Sequence, residues 1–169
     1  IPSFYTGLST RQWLGEFKME RYQGLNGIET MPNKDKLETI RWINENISGQ
    51  PVFLETYGDS YTDYNYLTAF TGLPTVMGWQ THQWLWRTSK TVNDAYNQVV
   101  RPRQMDVQKI YEFNDSQEVF RLLEKYEIEY IAVGPNERNK FSSINEEALK
   151  GLGNIIFETD TIYIIKLTG

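Results

Sequence analysis

The stretch IEYIAVG, residues 128–134, is a nearly continuous apolar run closed by a glycine. It constrains the fold more than any other segment, because such a run suits a strand buried on both faces, as in a parallel sheet covered by helices. The chain before it agrees. In DSQEVFRLLEKYE, Val119, Leu122, Leu123 and Tyr126 share one helical face, and Asp115 and Glu118 stand at capping-box spacing.

The same alternation runs back through the chain. KDKLETIRWINENI places Leu37, Ile40, Ile43 and Ile47 on one helical stripe that ends at Ser48-Gly49. PVFLETYG reads as a short buried strand, and TDYNYLTAFTG as a helix capped by Thr62 with Gly72 just past its end. TVMGW reads as a second short strand. From His82 to Glu112 the pattern predicts a loop, then a helix starting near Pro102. IIFETDTIYIIK predicts a hairpin turning at Thr159-Asp160.

These elements predict an α/β fold: a mainly parallel open sheet flanked by helices in three layers, with an antiparallel hairpin at the C-terminal end. The chain reads as a single domain over 1–169, in which a loop-rich segment 1–33 packs on an α/β core 34–169. In such sheets ligands sit outside the carboxyl ends of the strands. Residues 55–58, 78–79 and 134–138 follow the three predicted strands and would meet there.

Composition narrows the chemistry. The formal charge is −5 and no basic patch stands out, which argues against nucleic acid as a partner. Cysteine is absent, so disulfides, thiolates and cysteine-held metals are excluded. No glycine-rich phosphate loop or Walker lysine is present, and no helix carries paired histidines, so neither a cofactor nor a metal is expected. Apolar runs of a few residues do not span a bilayer. The chain opens on Ile1-Pro2 rather than methionine, which reads as a piece of something longer.

The aromatic content points elsewhere. TGLPTVMGWQTHQWLWR, residues 71–87, holds three of the five tryptophans, the only histidine and an arginine. Trp84 and Trp86 diverge on a strand and on a helix alike, so both do not belong to the core. Trp79, His82, Gln83 and Arg87 on a glycine-flanked loop make a polar and aromatic recognition surface, while a hydrogen-bonded histidine of no further role is the plain alternative for His82. The tyrosines from Tyr57 to Tyr66, Tyr61 among them, are read mainly as packing. Glu55, at the tip of an apolar run, needs a partner, with Arg87, Arg101, Arg103, Arg138 and His82 as candidates. Ser60 and Ser89 lie outside any nucleophile-elbow pattern, and the Asn46 and Asn114 glycosylation triplets are assigned no role.

The segments LNGIETMPNKDKLETIRWINENISGQPVFLETYGDSY, TGLPTVMGWQTHQWLWR, RPRQMDVQKIYE and LLEKYEIEYIAVGPNER together span Leu25 to Arg138. Over them the chain resembles the YYY family (Chlor_Arch_YYY), multi-pass membrane proteins of bacteria and archaea whose membrane part is similar to C-type glycosyltransferases. Asn26 and Thr88 stand where that family has aspartate and glycine. The resemblance implies a C-terminal soluble domain at the cell membrane, on the extracytoplasmic side. Glu55, Tyr61, Trp79, His82, Trp84, Arg87, Glu137 and Arg138 stand at recurring positions of that family, as do Asp106, Tyr111 and Tyr126, and the first eight are taken as candidate residues for binding a carbohydrate or partner. Catalysis does not carry over, since the carboxylates of C-type enzymes lie on loops between membrane helices.

Three functions follow as expectations. The first is a module that binds or positions a glycan, lipid-linked sugar or acceptor near a membrane active site. The second is a docking module for the protein's own transmembrane region. The third is a hydrolase with His82 as base, oriented by Glu55 or Asp106.

Overall fold

A computed structural model of the protein describes residues 33–168, so the N-terminal loop-rich segment lies outside the described residues. The elements run α1 (Lys34–Asn46), β1 (Val52–Leu54), α2 (Tyr66–Thr71), α3 (Gln80–Arg87), a π-helical turn (Tyr96–Val100), α4 (Arg101–Glu112), α5 (Ser116–Lys125), β2 (Ile128–Val133), α6 (Pro135–Lys140), α7 (Glu146–Lys150), β3 (Gly153–Glu158) and β4 (Tyr163–Leu167). The strands form one four-stranded sheet in the order β1-β2-β4-β3. β1 pairs parallel with β2, with Phe53 opposite Tyr130, while β4 runs antiparallel to both β2 and β3.

Side chains alternate between the two faces of the sheet, and the central strands are buried on both, which splits the core in two. Leu54, Ile131, Val133 and Ile165 face Val107, Ile110, Tyr111, Val119 and Leu122 of α4 and α5. Phe53, Tyr130 and Ile164 are buried on the opposite face, where Trp42 of α1 stacks on Phe157 of β3 at 4.8 Å between ring centroids. Helices therefore cover both faces, as the apolar run at 128–134 requires.

The α/β class and the C-terminal hairpin are as read from the sequence, but the parallel part is one strand pair. TVMGW is not a strand. A strand-like tie comes just before it, where the Phe53 N–H donates to the Pro74 carbonyl at 2.9 Å. The carbonyls that would face a neighbouring strand are taken by side chains: Arg103 Nη1 donates to Val76 O, and Asn65 Nδ2 to Met77 O, each at 3.0 Å. Buried Val76 and Met77 give an apolar run whether or not a ladder forms.

Two helix starts also differ from expectation. Thr62 does not cap a helix, because its hydroxyl closes a turn by donating to Asp59 O. The helix begins at Tyr66, after Asn65 in the left-handed region. Residues 80–87, read as partly loop, are helical although none of them is buried. At eight residues it is too short for its apolar spacing to stand out as a helix. By contrast, Asp115 caps α5 as its spacing implies, accepting from the backbone N–H groups of Gln117 and Glu118.

Candidate functional site

Past β1 the chain enters a loop, 56–65, that is pinned at several points. Glu137 Oε1 accepts the Thr56 N–H at 3.0 Å, Asn136 Nδ2 donates to Asp63 O, and Lys36 Nζ pairs with Asp63 at 2.5 Å. At its middle, Gly58 O accepts the Gln80 N–H at 3.0 Å, and Asp59 Oδ1 accepts from the Thr81 hydroxyl. That hydroxyl, ahead of the Ser60 N–H, lowers the Asp59 pKa. Gly58 leaves no room for a side chain, since a Cβ there would lie 2.4 Å from Tyr64 Cβ. The loop thus docks against the start of α3.

Helix α3 sorts the residues of the aromatic stretch by face, because positions four apart stack. Trp79, just before it, donates Nε1 to Tyr64 O at 2.9 Å. His82 lies 5.3 Å from Trp79, 5.5 Å from Tyr61 and 5.0 Å from Trp86, centroid to centroid. Tyr61, at φ 63°, is turned out to join them. A second face carries Gln83 and Arg87. Arg87 Nε donates to Gln83 Oε1 at 2.9 Å, and partial burial, then the nearby Arg103 charge, lower its pKa.

The third face carries Gln80 and Trp84. Trp84 meets Tyr96 edge to face at 6.3 Å, and the two wall a cleft of about 460 Å³. Its polar rim comes from Gln80 and Thr81 on α3 and from Asn93, Asp94 and Asn97 on the chain that follows. Both Asp94 carboxylate oxygens hold Asn97 Nδ2, at 3.0 and 3.2 Å, which fixes the Asn97 amide. Gln104 Nε2 donates to Gln80 Oε1 at 2.8 Å and fixes α3 to α4. Sequence reasoning missed Asp94, Tyr96 and Asn97. The available signal was the amide-rich VNDAYNQ around a tyrosine.

Glu55, Glu137 and Arg138 lie apart from these faces. Glu55 is fully buried, and no arginine or histidine meets it. Its carboxylate accepts the Thr68 N–H at 2.8 Å, the Thr68 hydroxyl and the Leu67 N–H at 3.2 Å, capping α2 from twelve or more positions away. Burial outweighs these hydrogen bonds and pushes its pKa up to about 7. Glu137 is held between the N–H groups of Thr56 and Gly134, and burial raises its pKa as well. Arg138 pairs bidentately with Glu146 at 2.8 and 3.0 Å and donates to Thr161 O. Asp106, Tyr126 and Tyr111 are brackets of the same sort. Asp106 accepts from Lys125 Nζ and the Tyr126 hydroxyl, and the Tyr111 hydroxyl donates to Ala132 O, with a longer bond to Leu54 O.

Among the described residues no carboxylate, serine or threonine hydrogen-bonds His82, and no group of three histidine, aspartate or glutamate side chains is arranged to hold a metal. No described helix is long and apolar enough to cross a membrane. The arrangement is suited to binding by rings and amides.

No protein-family model matches the chain, and no curated protein matches it in sequence. Among solved structures it is similar to the C-terminal globular domain of the oligosaccharyltransferase AfAglB-S2 from Archaeoglobus fulgidus. The likeness has a TM-score of 0.45 at 12% identity and covers 82% of this chain and 100% of that one. A superposition this loose transfers no function.

Proposed function

We propose that the domain binds a glycan in the Trp84–Tyr96 cleft. In this reading it is the extracytoplasmic part of a YYY-type membrane protein, and it holds a glycan or acceptor for a transfer reaction performed by the transmembrane region. The observation that carries the binding reading is the make-up of the cleft, two rings at 6.3 Å beside Asn93, Asp94 and Asn97. A sugar has apolar C–H faces and a girdle of hydroxyls, so it suits a ring wall with a few oriented polar groups. The cleft volume falls in the range of small-molecule sites, roughly 300–1,000 Å³. The aromatic surroundings of His82 favour binding over hydrolysis, since a general base needs a partner that orients it and a proton to take.

Isothermal titration of the protein with a panel of neutral and acidic oligosaccharides tests the reading. Binding to at least one member, weakened about tenfold or more in Trp84→Ala, supports it. Affinity that Trp84→Ala leaves unchanged, or no binding across the panel, rejects it.

A further inference from the structure

The opposite side of α3 presents a different surface. Leu85 is 57% exposed, Trp86 76% and Tyr61 88%, and no residue of the helix is buried. On this eight-residue helix Trp86 stacks one ring face on His82, and among the described residues the rest of that ring and Leu85 stay open. The carboxylates nearest the helix, Asp59 and Asp94, are engaged by Thr81 and the Ser60 N–H and by Asn97. No acidic residue occurs from Trp79 to Asn93, whereas Arg87 and Lys90 both do, on a chain whose net charge is −5. Among the described residues neither cation has a carboxylate partner. Arg87 reaches Gln83 instead, and Arg103, whose charge acts on Arg87, donates to Val76 O.

Exposed leucine and tryptophan beside uncompensated lysine and arginine match one environment well. Indole and phenol rings favour the headgroup level of a bilayer, and basic side chains are drawn to anionic lipid. We propose that the Tyr61–Leu85–Trp86 face, with Arg87 and Lys90, docks the domain on an anionic lipid surface. Leu85 and the indole of Trp86 enter the headgroup boundary, Arg87 and Lys90 meet lipid phosphates, and the helix lies in the plane of the interface. The acidic remainder of the chain is repelled from that surface, which orients the domain with α3 downward. The proposal does not rest on the glycan reading, and its test contains no sugar.

The test is co-sedimentation of the protein with two kinds of vesicle, phosphatidylcholine alone and phosphatidylcholine mixed with phosphatidylglycerol. The protein sediments with the mixed vesicles and far less with the neutral ones, and salt releases it. Leu85→Ser combined with Trp86→Ser lowers partition about tenfold. Arg87→Gln combined with Lys90→Gln lowers it about tenfold as well and reduces the salt dependence. All four positions are exposed, and circular dichroism verifies the fold of each variant. No sedimentation with the mixed vesicles, equal partition into both kinds, or partition unaltered in both double variants would overturn the proposal. So would a protein dimer in lipid-free sedimentation velocity that Leu85→Ser with Trp86→Ser dissolves, because a second copy would then be the occupant.

Discussion

Glu137 and Thr56 lie 81 positions apart in sequence, yet the carboxylate of one receives the backbone N–H of the other at 3.0 Å. The second oxygen of Glu137 takes the Gly134 N–H at 2.9 Å. One side chain therefore ties the exits of two parallel strands together and sets where loop 56–65 begins. The aromatic group of Tyr61, Trp79 and His82 rests on that tie.

Glu137→Ala leaves two buried N–H groups without an acceptor, each costing roughly 1–3 kcal/mol. A loss of about 3 kcal/mol in unfolding free energy is expected from urea denaturation. A loss under about 1 kcal/mol would mean that water or a neighbouring group replaces the carboxylate.

Glu55 makes stability depend on pH in a stated direction. Its pKa rises from the ordinary 4.5 to about 7 in the fold, so the folded state holds a proton that the unfolded chain releases. The associated stability is full below about 4.5 and is lost as pH climbs through about 7, by about 3 kcal/mol in all. The raised pKa of Glu137 acts with the same sign. Urea midpoints are expected to fall between pH 5 and pH 8, and Glu55→Gln to remove about half of that fall or more. An equally steep profile in Glu55→Gln would assign the effect to other groups.

Gly58→Ala drives a methyl group into Tyr64, whose Cβ would lie 2.4 Å away. The clash lies against Tyr64 next to its backbone and is not relieved by swinging a flexible side-chain end. The expected cost is about 2 kcal/mol, within the range for overpacking, and the loop shifts away from the α3 N-terminus. Quenching of tryptophan fluorescence reports the shift, because Trp79 is bonded to the Tyr64 carbonyl. Wild-type quenching in Gly58→Ala would show that the loop accommodates the methyl group in place.

Tyr96→Ala removes one wall of the cleft at a position that is already 38% exposed. Thermal stability is expected to stay within about 0.5 kcal/mol of wild type, as for an ordinary surface change. Glycan affinity is expected to fall about tenfold in the titrations used for Trp84→Ala. A large drop in melting temperature would instead make Tyr96 a structural residue.

Much of this architecture is written locally. The apolar run at 128–134, the stripes of α1 and α5, the Asp115 cap and the closing hairpin each follow from neighbouring residues, because periodicity and capping act within a few positions. That Trp84 and Trp86 do not both belong to the core was legible for the same reason: two positions apart on a helix, they diverge. Tertiary structure decided the rest. Side-chain donors from Arg103 and Asn65 replace a strand at Val76 and Met77, and Glu55 caps a helix from another element. Trp84 finds its partner only when the chain folds back to bring Tyr96 against it. A buried polar atom must be satisfied by whichever group reaches it, and which group does so is set by the packing of distant segments.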